Sequence, residues 1–522
     1  MKRIILLTFL VCFGKLTYSQ IQPEFIKNVN SPGNFIELNG EVYLICSGTD
    51  SGLWKTDGTN AGTIQIKSFS SIRDMFKFNN MLYFRADDGV NGIELWKSDG
   101  TTPGTQMVKN INPTGDFMGS FDLWLNVVGL NEFFFTAEDG IHGRELWKSD
   151  GTEAGTVMVK DMVPGSGSSE PQKGIFFNNE LYFTGSDNSV GRELFKSDGT
   201  EVGTVLVKDF YVDPTNTSNG FPDHYTIFDN QLFLFAKSSD LTATAYGLYT
   251  ITTSSSVPQL IKEVFVNSTP LYKFNNAFYF ASPNGTWDNS ELWKSDGTAS
   301  GTAVFTELNA TGASNPWLFY EFNNTLYFLA TPDNATGREL FKTDGTVGGT
   351  QMVKNINPLN GEGSSIYNFF ELEGVLHFIA NEPTYGWEIW KTNGTDAGTT
   401  MAYDINPGPD ASYSGNFTKL LNKIFFSVGS GPQQQGLWKF DLPSSDLSEM
   451  SLIKIEIYPN PTKSSLHIKT QTATNACILS LDGIIKAQID INCETILDVS
   501  PYPPGVYFIR TSEGQTVKFI KD

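Results

Sequence analysis

From about residue 21 to residue 442 the apolar positions fall in short runs, and the runs themselves recur. In Phe76-Lys-Phe-Asn-Asn-Met-Leu-Tyr-Phe84 apolar and polar residues alternate up to Asn79-Asn80, and the residues after it are apolar without interruption. This predicts two strands around a two-residue hairpin, because Asn tolerates the positive φ that such hairpins require. The same hairpin is read at Leu38-Asn-Gly-Glu41, Phe177-Asn-Asn-Glu180, Phe274-Asn-Asn-Ala277, Phe322-Asn-Asn-Thr325 and Leu372-Glu-Gly-Val375. A polar loop follows (Ala86-Asp-Asp-Gly-Val-Asn-Gly92), then a third strand, Glu94–Ser98. The turn Asp99-Gly-Thr-Thr-Pro-Gly104 leads into a fourth strand, Thr105–Ile111. No segment shows helical periodicity.

The third strand and its turn set the repeat. Glu145-Leu-Trp-Lys-Ser-Asp-Gly-Thr-Glu-Ala-Gly-Thr156 has near copies at Gly52–Thr63, Glu94–Thr105, Glu193–Thr204, Glu291–Thr302, Glu339–Thr350 and Glu388–Thr399. Worn copies stand at Tyr246–Thr250 and Gly436–Asp441. The aromatic of each copy (Trp54, Trp96, Trp147, Phe195, Tyr249, Trp293, Phe341, Trp390, Trp438) gives a period of about 48 residues, which belongs to solenoids, propellers or arrays. Four-stranded units of this length predict propeller blades. Consecutive apolar residues such as Leu82, Tyr83 and Phe84 fit a strand packed on both faces. The ninth unit stops after three strands at Pro443. Phe25-Ile-Lys-Asn-Val-Asn-Ser-Pro-Gly33 reads like the fourth strand of other units, so the chain start is expected to complete the last blade and remove the open edges. The expectation is an all-β propeller of about nine blades, or eight if the worn fifth unit forms none.

Residues 1–19 carry a basic start, an apolar run and small residues at Thr17 and Ser19, as in a secretory signal peptide cleaved between Ser19 and Gln20. No other stretch is apolar for long enough to be a transmembrane helix. The net charge of −21 is spread along the chain, which disfavours nucleic acid and anionic membranes as partners. None of the four cysteines shows zinc-site spacing. Cys477 and Cys493 flank a predicted turn and are candidates for a disulfide in an oxidising compartment. Cys46 reads as a buried apolar thiol.

The repeated residues have structural readings. In Asp57, Asp99, Asp150, Asp198, Asp296 and Asp344, each followed by Gly-Thr, the carboxylate is placed to accept backbone N–H groups within its own turn. Asn393 keeps that acceptor without the charge. The strand glutamates Glu94, Glu145, Glu193, Glu291, Glu339 and Glu388 are expected to form ion pairs across strands or blades, together with the lysine three positions later. A catalytic acid is needed once, so recurrence in six units points to architecture. The acidic loops at Ala86-Asp-Asp-Gly, Ala137-Glu-Asp-Gly and Gly185-Ser-Asp-Asn offer oxygen ligands to calcium but lack the ordered spacing of a calcium loop. No cofactor other than calcium is suggested, and no nucleophile elbow or His-based metal motif is present. The clearest departure from the repeat is the long interval Tyr211–Tyr225. It is read as a loop, and it supplies the binding candidates Asp213, Asp223, His224 and Tyr225.

Residues 20–442, with Asp-Gly-Thr intact in six units, resemble the ELWxxDGT repeat proteins, a family whose motif carries no biochemical activity with it. Leu442–Leu452 is polar, and the linker is placed at 443–452. Beyond it the period is lost. Residues 453–522, with alternating strands and Pro/Gly turns, read as a small β-sandwich. Pro459, Asn460, Pro461, Gly505, Tyr507 and Lys521 stand in motifs that resemble the type A C-terminal sorting domain of the type IX secretion system of Bacteroidetes-like bacteria. That resemblance implies export across the outer membrane by the type IX machinery and removal of the domain. The product would then be released or anchored at the cell surface. The functional expectation is a non-enzymatic extracellular protein that binds glycan or protein. The alternatives are a polysaccharide-active glycosidase or lyase on the same scaffold, or a structural spacer of the surface.

Overall fold

The computed structural model describes residues 21–522 apart from 114, 117–125, 130, 213–218, 242–245, 266–268, 285–288, 334, 360, 410, 411, 413, 430–434, 444–454, 471–473, 481–484, 492, 493 and 512–515. The chain divides into two compact units, Met1–Asp441 and Leu442–Asp522.

In the first unit the described residues form nine four-stranded antiparallel sheets, with a single 3₁₀ turn at Gly48–Asp50. Each sheet is one blade, and in eight of the nine the four strands follow one another in the chain. Blade 2 is Ser71–Phe78, Met81–Asp87, Ile93–Ser98 and Gln106–Lys109. The first hairpin turns where the sequence places it: Asn79 and Asn80 have φ of 44° and 58°, and Asn178 and Asn179 have 56° and 64°. The worn fifth unit is a full blade, Asp223–Phe228, Gln231–Lys237, Tyr246–Thr252 and Ser255–Val264, so the eight-blade alternative falls away. It lacks the Asp-Gly-Thr turn because its third and fourth strands meet in a tight hairpin, with Thr252 paired to Ser255.

Blades pack face to face through apolar clusters that alternate along each second strand. Leu82 and Phe84 join Leu38, Tyr43 and Leu53 of blade 1, whereas Tyr83 between them joins Phe133 and Phe135 of blade 3. This is why the second strands are apolar without a break. A fully buried Phe contributes roughly 1.5–3 kcal/mol relative to exposure, and Phe84, Phe133 and Phe135 are all completely buried. The ring is closed on both sides of the last blade. Phe370 of blade 8 lies flat on Phe417 of blade 9, with centroids 4.1 Å apart. Strand Pro23–Lys27 pairs with Gly436–Asp441, which makes the chain start the fourth strand of blade 9. Ile26 and Val29 then pack with Phe425, Leu437, Val42 and Leu44, joining blade 9 to blade 1.

First strands of neighbouring blades touch one another, so they surround the axis of the ring. The antiparallel order sends the first hairpin and the Asp-Gly-Thr turn to one end of each blade. The loop between second and third strands and the connection to the next blade lie at the other end, the loop face.

The second unit is a β-sandwich. One sheet holds Glu456–Tyr458, Ser465–Lys469 and Glu494–Asp498, and the other holds Thr474–Ser480, Ile485–Ile491, Gly505–Thr511 and Thr516–Lys521. Leu466, Ile468, Ile478, Ile509 and Phe519 are completely buried between them.

Candidate functional site

The six repeated glutamates are completely buried, and their carboxylates accept backbone N–H groups instead of pairing with lysine. Glu94 accepts from Ile111 (2.8 Å) and Asn112 (3.0 Å), and Glu388 from Ile405 (2.7 Å) and Asn406 (3.3 Å). Glu145 and Glu291 add a serine hydroxyl, from Ser169 and Ser314. This corrects the expected ion pairs. The third strand points the glutamate at the connection to the next blade, where orphan N–H donors need an acceptor. The lysine three positions later leaves the strand on its other side. Lys97 and Lys342 reach the glycine carbonyl of the next blade's turn (Gly151, 2.9 Å; Gly394, 2.7 Å), and Lys196 pairs with Glu180 of its own hairpin. Burial pushes the glutamates up against the pull of their N–H donors, Glu94, Glu193 and Glu339 to about 7 and Glu388 to about 8.

In the turns, one oxygen of each aspartate accepts both the N–H and the hydroxyl of the threonine two residues on, at 2.8 and 2.7 Å for Asp150–Thr152. Asp57, Asp99, Asp198, Asp296 and Asp344 do the same, and so does Asn393. These hydrogen bonds hold every one of the aspartates below its ordinary value. The acidic loops close on themselves too. Asp88 accepts from Val90 and Asn91, Asp187 from Ser189 and Val190, and Asp139 from Ile141 and His142. Among the described residues no three His, Cys, Asp or Glu side chains stand close enough together to hold a metal ion.

The residues that differ from blade to blade gather around the axis on the loop face. Seven of the nine first strands carry there a β-bulge and a residue at positive φ: Asn34, Asp74, Lys173, His224, Leu318, Asn368 and Asn416. Blades 2, 4 and 5 place charges here. Asp74 is bonded to the Arg85 guanidinium, and Lys173 of blade 4 is paired with Asp223 of blade 5. Blades 7 and 8 place Trp317 and Tyr367 at equivalent registers, opposite Leu329 and Ile379. Blades 9 and 1 have Gly415 and Gly33 at that register, followed by Asn416 and Asn34. Sequence reading reaches this belt only at blade 5. The available signal was the recurring Ser31-Pro-Gly-Asn34, Glu170-Pro-Gln-Lys173, Phe221-Pro-Asp-His224 and Asn315-Pro-Trp-Leu318, in which the last two residues change while the frame does not.

Three of the four binding candidates stand in this belt. Asp223, His224 and Tyr225 belong to the first strand of blade 5 and not to a loop, because the bulge lets an irregular polar sequence continue the ladder. His224 is half-buried near Phe235, and burial lowers its pKa. The Tyr225 hydroxyl is used internally, against Thr184 (2.7 Å) and the Pro222 carbonyl (3.3 Å). Asp213 lies outside the described residues, as do Ser19, Gln20 and Cys493. Cys477 is half-buried, with its thiol directed to the Arg510 carbonyl (3.6 Å).

In the second unit the Pro459-Asn460-Pro461 turn is tied to the last strand. Asn460 donates to the Lys518 carbonyl (3.0 Å) and accepts from the Ile520 N–H (2.9 Å). Gly505 begins the strand that carries Tyr507, whose ring stacks on Phe519 and whose hydroxyl donates to the Pro503 carbonyl (2.9 Å). Lys521 is buried beside the terminal Asp522.

No helix among the described residues is long and apolar enough to cross a membrane. No curated protein matches the chain. Among solved structures it is similar to a prolyl endopeptidase (12% identity, TM-score 0.35, covering 66% of this chain and 54% of that one). It is also similar to a puromycin hydrolase (11%, TM-score 0.35, 68% and 58%). The third is the GH74 enzyme of Niastella koreensis (12%, TM-score 0.34, 96% and 79%). The chain thus spans little more than half the length of the first two, and nothing of their chemistry is carried over. Residues 456–522 match the family described as the secretion system C-terminal sorting domain, and this tail marks the chain for type IX export to the cell surface or beyond.

Proposed function

We propose that the exported chain is a non-enzymatic propeller of the ELWxxDGT type that binds a glycan or a protein around its axis on the loop face. Delivery is by the type IX machinery of a Bacteroidetes-like bacterium, with the sorting domain removed afterwards. One observation carries this reading. The acids that recur through the blades are used by the backbone, and the side chains that vary are collected around one axis. Long-range order of this kind builds a rigid platform for a binding surface.

A polysaccharide-active enzyme would need two carboxylates roughly 5–10 Å apart with one of them free to hold a proton. Asp74 and Asp223, the axial acids named above, are both engaged by cations. The test is to incubate the mature secreted chain with a panel of polysaccharides and surface proteins, with calcium and with chelator. Retention without new reducing ends or unsaturated products is the expected result. Product release would overturn the non-enzymatic reading, and loss of retention in chelator would assign calcium to the acidic loops. Deleting 456–522 in the producing cell should stop appearance of the protein outside; continued export would overturn the delivery route.

A further inference from the structure

We propose that the sector of the loop face formed by blades 7, 8, 9 and 1 around the axis is a subsite for a neutral carbohydrate chain, an inference that rests on the binding reading above. Trp317 and Tyr367 form its apolar floor, and Asn368, Asn416 and Asn34 supply its hydrogen bonds.

The first observation is an aromatic where the fold does not need one. Trp317 is 45% exposed and is the one exposed tryptophan among the described residues, although it stands in a strand. Its counterpart at the same register of blade 8 is Tyr367, braced by Trp387 with ring centroids 5.2 Å apart at 56°. Tyr385, 40% exposed, stands in the turn just before the strand Gly386–Thr392 that carries Trp387, at that end of blade 8. Leaving such surface in water forgoes the stabilisation that burial gives, so its placement calls for an occupant.

The second observation is independent and concerns amides. In blades 9 and 1 the register that holds Trp317 and Tyr367 elsewhere holds glycine. A β-carbon on Gly415 would lie 3.0 Å from the Asn368 Nδ2 of blade 8, and one on Gly33 would lie 3.0 Å from the Asn416 Nδ2 of blade 9. Each glycine therefore makes room for the amide of the preceding blade. The Asn416 amide is steadied by Ser427 (3.2 Å) and the Pro32 carbonyl (3.4 Å), both through its nitrogen, which leaves its oxygen free to accept. The side-chain amides of Asn34 and Asn368 have no hydrogen-bond partner among the described residues. An amide offers both donors and an acceptor, which is what a hydroxyl needs from its neighbour.

The ligand class follows from the combination. A sugar ring has an apolar C–H face that lies on an aromatic side chain and a rim of hydroxyls that each donate and accept. This sector adds no charged side chain at those registers; across the axis Asp74 is held by Arg85 and Lys173 by Asp223, and the exposed Arg73 stands at the same register of blade 2. A neutral chain fits this chemistry, and an acidic one finds no cation at these registers of blades 7, 8, 9 and 1.

The experiment titrates the mature chain with cellohexaose, laminarihexaose and mannohexaose, and with an alginate oligomer as the acidic control, following tryptophan fluorescence and calorimetric heat. At least one neutral hexasaccharide should bind. Trp317→Ala and Tyr367→Ala should each weaken it about 10-fold or more, and Asn368→Ala several-fold. Trp317→Phe should retain most of the affinity, and Asp296→Ala, at the opposite end of its blade, should change nothing. Unaltered binding by Trp317→Ala and Tyr367→Ala would overturn the subsite and leave the binding reading standing. Binding of alginate alone, or of no oligosaccharide, would also overturn it. Hydrolysis of a hexasaccharide would instead sink the non-enzymatic reading itself.

Discussion

The hydroxyl of Tyr83 lies so close to Gly151 of the next blade that a β-carbon at Gly151 would sit 2.0 Å from it. Tyr43 stands in the same relation to Gly100. The turn glycine is thus fixed twice, by φ of +88° at Gly151 and by the tyrosine of its neighbour. Gly151→Ala is expected to cost about 2–3 kcal/mol, the strain of a left-handed alanine plus displacement of the ring. Thermal unfolding checks it, and the double variant identifies the cause. Removing the hydroxyl in Tyr83→Phe should make the alanine cheaper. An equal cost in both backgrounds would leave backbone strain as the whole explanation.

The turn aspartate is required for an oxygen and not for its charge. Asp150 and Asn393 make the same two hydrogen bonds to threonine. Asp150→Asn should therefore leave the unfolding temperature nearly unchanged, while Asp150→Ala should cost about 1 kcal/mol. Adding or chelating calcium should shift neither variant relative to the parent. A calcium-dependent stabilisation that disappears in Asp150→Asn would reassign the turns as ion sites.

Blade architecture was legible in the sequence because each blade repeats its own punctuation. The Asn-Asn hairpins, the Leu-Tyr-Phe strands and the missing fourth strand of the last unit announced a closed ring, since each reflects local backbone geometry or burial on two faces. Glu94 shows what was not legible. A glutamate and a lysine three apart in a strand look like an ion pair, and nothing local reveals that the carboxylate meets the N–H groups of Ile111 and Asn112. The axial sector was missed for a related reason. Trp317, Tyr367, Asn368 and Asn416 are separated by whole repeats and converge only when the ring closes.

Acidity should stabilise the propeller within a defined window. Glu388 is pushed up to about 8 from an unfolded value near 4.5, and Glu94, Glu193 and Glu339 to about 7. The native state keeps protons that the unfolded chain has released, so stability is greatest at the acid end and falls as pH rises through 7 and 8. His377 acts in the opposite sense. Burial holds it down to about 4 from 6.5, so its contribution is lost as pH falls below 6.5. The glutamates are therefore separated from it between pH 6.5 and 8.5. Denaturant midpoints should decline across that interval, and Glu388→Gln should flatten the decline. A parent whose stability is level or rising there would refute the assignment.

Closure of the ring depends on five residues at its start. Strand Pro23–Lys27 supplies the outer strand of blade 9, with Phe25 edge-on to Trp438 at 5.6 Å and Ile26 only 3% exposed. Lys27 then reaches across to the Thr63 carbonyl of blade 1 (2.7 Å), so one short strand fastens two blades. Ile26→Asp would bury an unpaired carboxylate at this joint and should cost about 3 kcal/mol or more. The damage should also take a particular form. Blade 9 would be left with an unpaired edge at Gly436–Asp441, a template for association with a second chain. Earlier unfolding with concentration-dependent aggregation is the expected result by calorimetry and light scattering. Glu24→Ala, which removes an exposed side chain paired with Lys439 in the same strand, should shift stability by less than about 1 kcal/mol. If Ile26→Asp unfolds no earlier than Glu24→Ala, strand pairing at the start of the chain does not hold the ring shut.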